Sequence, residues 1–152
     1  MNPEPQQKQL EAVFDRVFRE ITQQTAGIRL YEGGEEPSGT LCTVYAEFRC
    51  AFQTSLSMCA DAAVFARLTR HMMRREEVTR ENVEDSAKEY FNILCGHISS
   101  GLYEKIHVAP WFTPPTFHYG QFRPLGRGTH FSLRYTSDAK DNMLFVHYTV
   151  PR

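Results

Sequence analysis

The chain has 152 residues, 41% hydrophobic and 23% charged, with a formal net charge of −1 and a pI near 6.6. That balance suits one domain large enough for a real core, and it offers no basic field for nucleic acid or an anionic membrane surface. No apolar run approaches the ~18 residues of a membrane span. The polar start MNPEPQQKQ has no apolar signal core, so a cytoplasmic protein is expected. Cys42, Cys50, Cys59 and Cys95 show no CxxC or paired-ligand spacing and are expected to be reduced, mostly buried thiols.

In chain order, Leu10, Val13, Phe14, Val17, Phe18 and Ile21 recur at helical spacing and predict an amphipathic helix over about residues 4–24. Gly27 ends it, and residues 28–31 suit a short strand. A turn-rich loop follows at 33–39. Residues 40–56, rich in Thr, Val, Tyr, Phe and Cys, suggest two strands turning near Glu47–Phe48–Arg49. Ser57 is a candidate cap for a second helix that buries Ala62, Phe65, Leu68 and Met72.

Thr79 is placed to cap a long helix reaching about Lys105. The prolines of residues 108–115 forbid helix and predict an extended link. A strand near 116–119 and a glycine-rich bend over 120–128 come next. Two alternating segments, 129–137 and 143–150, then bracket the turn DAKDN as a hairpin. Helices and hairpins in blocks, without a βαβ rhythm, point to an α+β domain. Its helices should pack on one face of a largely antiparallel sheet, as two layers.

The long helix carries the most specific signal. With Phe91 at zero and about 100° per residue, Ala87, Leu94, Ile98 and Leu102 cluster with it, and Val83 lies at their edge. Asp85, Glu89, Asn92 and Gly96 fall together on the opposite side. Glu89 and Asn92 stand three apart, so their side-chain ends can serve one small object in front of the helix. A solvated face explains such a stripe in the ordinary case. Two features favour a working surface: apolar Ile93 borders the stripe, and Gly96 leaves room for another backbone to come close.

The spacing of Asp85, Glu89, Asn92 and Gly96 resembles the signature helix of the CheC/CheX/FliY phosphatases of bacterial chemotaxis. The order of elements around it and the segment HVAPWFTPPTFHYG are similar to the family over nearly the whole chain. One signature occurs; CheC-type chains carry two, and FliY-type chains add a motor-binding domain. The single site and the length therefore resemble CheX, and a single CheX-like domain over residues 1–152 is expected.

The resemblance implies a CheC-like fold and hydrolysis of the aspartyl phosphate of a CheY-like response regulator. Asn92 would hold the attacking water, its amide offering both donor and acceptor. Glu89 would pair with the regulator's active-site lysine, and Asp85, Ile93 and Gly96 would border the partner. The protein would need no cofactor of its own, with Mg²⁺ held by the regulator. Family relatives form dimers by joining sheets, so a homodimer is expected. The alternative is a non-catalytic CheX-like binding or dimerisation module that has kept the fold.

Weaker candidates remain. Six histidines (71, 97, 107, 118, 130, 147) lack metal-ligand spacing and suit structural roles. Trp111 and Phe112 read as core filling ahead of a partner patch, and aromatic residues alone recommend a small-molecule site over 111–130. Arg70, Arg74 and Arg75 suit a solvated helix end.

Overall fold

The structure, a computed structural model, describes residues 3–49, 53–107, 110–121 and 130–150. Cys50, residues 108–109 of the link and most of the glycine-rich bend lie outside the described residues. The elements follow in the order α1 (Pro3–Ala26), β1 (Leu30–Glu32), β2 (Leu41–Arg49), β3 (Gln53–Asp61), α2 (Ala62–Met73) and α3 (Arg80–Ile106). Then come β4 (Trp111–Phe112), β5 (Thr116–Tyr119), β6 (His130–Ser137) and β7 (Asn142–Val150).

All strand pairs are antiparallel, in the order β1-β6-β7-β3-β2-β4, and β5 also pairs with β2. The three helices cover one face, which makes the expected two-layer α+β domain. Strand alternation explains the layering. Cys42, Val44, Ala46 and Phe48 of β2, Leu56, Met58 and Ala60 of β3, and Met143 and Phe145 of β7 are all buried on the helix side. Phe18 of α1 stacks on Phe145 at 3.8 Å, and Phe65 of α2 meets Phe117 edge-on. Burying one such ring fully stabilises by roughly 1.5–3 kcal/mol.

Helix α1 crosses α3 closely at Gly101, where an added Cβ would lie 2.9 Å from Val13 Cγ1. Gly27, at φ 67°, ends α1 as expected, and a side chain there would strike the His71 ring at 2.5 Å. Among the described residues no helix is long and apolar enough to cross a membrane.

Two expectations need correction. The first hairpin does not turn at Glu47–Phe48–Arg49: β2 runs through Arg49 and pairs in unbroken register from Leu41↔Asp61 to Arg49↔Gln53. Phe48 continues the inward alternation, so the chain gains a further buried ring by staying extended. Nor does Ser57 cap α2. It sits inside β3, where Leu56, Met58 and Ala60 keep the strand period. The cap is Asp61, whose carboxylate accepts from the Ala63 N–H at 2.9 Å.

Candidate functional site

Helix α3 begins where Thr79 and Asn82 cap each other. The Asn82 N–H donates to Thr79 Oγ1 at 3.1 Å, and the Thr79 N–H donates to Asn82 Oδ1 at 3.0 Å. Its rotation is set from inside. Ala87, Phe91, Leu94 and Ile98 have no exposed surface, and the buried Tyr90 hydroxyl hydrogen-bonds Thr22 of α1 at 2.7 Å. Desolvation raises the Tyr90 pKa far above its usual value and keeps the hydroxyl neutral.

With that face locked, Asp85, Glu89 and Asn92 point to solvent. Together with Lys88 they form one side of a recess of about 480 Å³, whose other side is Phe112, Pro114 and Pro115. Lys88 Nζ lies 3.2 Å from Glu84 Oε1, one turn back on the helix. The structure thus brings Asp85, Glu89 and Asn92 to one place. Ile93 and Gly96 do not line the recess. Ile93 is partly buried against the core, and a Cβ at Gly96 would meet nothing within 4 Å.

The far wall was missed from the sequence because it comes from a segment some twenty residues away. Its rigidity has clear causes. Ser99 Oγ donates to the Pro110 carbonyl at 2.7 Å. The Thr113 N–H donates to Glu47 O at 2.8 Å, and Thr113 Oγ1 accepts from the Glu47 N–H at 3.0 Å. Phe112 packs on Phe48 with ring centroids 5.8 Å apart. Trp111 is not core filling: it is 62% exposed, with the Arg49 guanidinium 5.4 Å from its ring centre. The tandem prolines were the one sequence signal of a stiff strap, but nothing in them said what the strap faces.

The chemistry of this recess is positional. Two carboxylates, an ammonium and an amide stand in solvent beside an apolar wall, which can hold a charged group and a water. The described cysteines are poor nucleophile candidates, since burial pushes the Cys95 thiol, and to a smaller degree Cys42, above the ordinary thiol range. Cys59 is buried as well. Among the described residues no group of three His, Cys, Asp or Glu is arranged to hold a metal ion.

Solved structures share the fold. The chemotaxis protein CheX from Desulfovibrio desulfuricans is 11% identical, with 92% of this chain and 98% of that one covered and a TM-score of 0.80. A CheX–CheY–BeF₃–Mg²⁺ complex from Borrelia burgdorferi matches at 14% identity, over 92% of this chain and 97% of that one, with a TM-score of 0.77. FliY from Thermotoga maritima matches at 15%, over 99% and 91%, with a TM-score of 0.69. No curated protein sequence matches. The family model described as chemotaxis phosphatase CheX matches residues 42–124, more than half the chain, and spans both walls of the recess. This protein belongs to the CheX family of chemotaxis phosphatases.

Proposed function

We propose that this chain, as one CheX-like domain, hydrolyses the aspartyl phosphate of a CheY-like response regulator, using the recess on α3. The observation that carries the proposal is the pairing of Glu89 and Asn92, side by side and exposed on a helix held rigid by its opposite face. An acyl phosphate is already reactive, so catalysis needs alignment and charge placement more than a new nucleophile.

Asn92 orients the attacking water through its amide. Glu89 accepts the regulator's lysine and sets the docking angle, while Asp85 borders the entering surface. Ile93 and Gly96 lie on the same flank of α3 and extend the contact beyond the recess. Mg²⁺ belongs to the regulator. In the Borrelia complex it is present together with CheY and BeF₃, and Asp85 and Glu89 alone make a poor cage for it.

A homodimer is part of the proposal. Strand β7 lies inside the sheet, so the edge of the C-terminal hairpin is β6. Among the described residues β1 pairs only with Tyr135, Thr136 and Ser137, leaving the first half of β6 open to a second copy. Light scattering should give a mass near twice 17.6 kDa, and a 17.6 kDa species at micromolar concentration would refute the dimer. For the activity, a panel of phosphorylated CheY-like regulators is followed with Mg²⁺, with and without the protein. Faster loss of phosphate from at least one is expected. Unchanged decay in a pair that binds would leave the non-catalytic module in its place.

A further inference from the structure

The sheet edge beside the recess carries a one-residue bulge. Phe112 pairs with Phe48 and Thr116 with Tyr45, so three residues, 113–115, stand against two of β2, Ala46 and Glu47. An extra residue bends a strand out of its ladder and re-aims its side chains. Thr113 keeps its bonds to Glu47. The next two residues are prolines, with fixed φ and no N–H to leave unpaired. They depart from the ladder without leaving an N–H donor unpaired, and both line the recess.

Phe112 has a packing reason to be there, because it meets Phe48. Pro114 has none: it is exposed, and it faces a row of charged side chains. The recess is therefore two-sided, polar on α3 and apolar on the strap. At about 480 Å³ it admits a side chain or two, not a whole element. Lys88 is the one cation among its described lining residues; it stands between Asp85 and Glu89 and is ion-paired with Glu84, so the α3 side carries charge of both signs.

We infer that the proline shelf of residues 114–115 is the specificity-determining wall of the site. It receives an apolar side chain that the partner regulator carries next to its phosphorylated aspartate, while α3 addresses the charged centre. The inference rests on the phosphatase proposal above. A preformed apolar wall contacts the partner alike before and during reaction, so its loss falls on binding and KM more than on kcat. Regulators with a charged or small residue at that place are poor substrates.

The test uses Pro114→Glu and the gentler double variant Pro114→Ser/Pro115→Ser, each checked for native folding by circular dichroism. Affinity is measured by calorimetry against CheY-type receivers loaded with beryllofluoride and Mg²⁺, and KM and kcat against the phosphorylated receivers. Pro114→Glu should raise both Kd and KM by about tenfold, the scale of one lost interface anchor, with kcat moving less than about threefold. The double Ser variant should follow in the same direction by a smaller factor. Parental Kd and KM in folded variants, with Asn92→Ala still slow, would overturn the shelf and leave the phosphatase proposal standing. Phosphate decay unchanged by the parent protein in a pair that binds, with Pro114→Glu still weakening that binding, would do the reverse. A parent that binds no receiver would overturn both.

Discussion

Phe91 and Asn92 are neighbours in the chain, yet one has no exposed surface and the other stands in solvent at the recess. The first sits among Ala87, Leu94 and Ile98; the second shares its side of α3 with Asp85 and Glu89. A helix that rests on a sheet can assign its two faces to different tasks, because side chains three or four residues apart share a face and adjacent ones do not. Stability resides in one face, and the proposed chemistry in the other. The comparison predicts a graded series of stability effects that dwindles as substitutions move out of the core.

The largest effect belongs to Phe91→Ala. Removing a fully buried ring leaves a cavity and costs about 3–5 kcal/mol, a large share of a typical domain's ~5–15 kcal/mol. Urea unfolding should show a sharply lower midpoint. A midpoint near the parent's would break the comparison at its buried side.

His147 comes next, and its effect is read through pH. It is packed against Phe14 and Phe131 with ring centroids 5.1 and 4.9 Å away, and burial lowers its pKa from 6.5 to about 4. The unfolded chain takes up a proton near pH 6.5 that the folded chain refuses until about pH 4. The neutral histidine's stabilisation is complete above pH 6.5 and is lost as pH falls from there to about 4, by up to roughly 3 kcal/mol. Urea midpoints at pH 7.5 and 5 measure the slope. His147→Leu should flatten it, and an unchanged slope in that variant would assign it to other groups.

Thr79→Ala removes half of the reciprocal cap on α3 and should cost about 1 kcal/mol, with the denaturant slope unchanged. Loss of the recess's geometry along with the cap would sharpen the comparison, since the two faces would then share the helix start.

Much of this division was legible in the sequence, and the reasons are local. The 3.6-residue period of α3, the cap at Thr79 and the strand of residues 116–119 depend on neighbours in the chain, and all three stand where expected. The stripe of Asp85, Glu89 and Asn92 was legible for the same reason. Phe112, Pro114 and Pro115 were not, because only the pairing of β4 and β5 with β2 carries them to α3. Ser57 misled because serine suits a cap and the sheet face turned away from the helices equally. The inward alternation of Leu56, Met58 and Ala60 decided the matter in favour of the strand. Trp111 misled by composition, since an exposed tryptophan stacked on Arg49 has no signature in a linear pattern.

Glu89→Ala and Asn92→Ala close the series, each changing stability by about 0.5 kcal/mol or less, as exposed substitutions do. Glu89→Ala should weaken regulator binding along with turnover, because it removes a docking contact. Asn92→Ala is the most direct test of the account, and two quantities are measured on the same preparation: the urea midpoint, and the decay of phosphorylated regulator with Mg²⁺. The account predicts a parental midpoint and parental binding with the added dephosphorylation rate down by about 10²–10³. Parental decay in a complex that forms normally would contradict it.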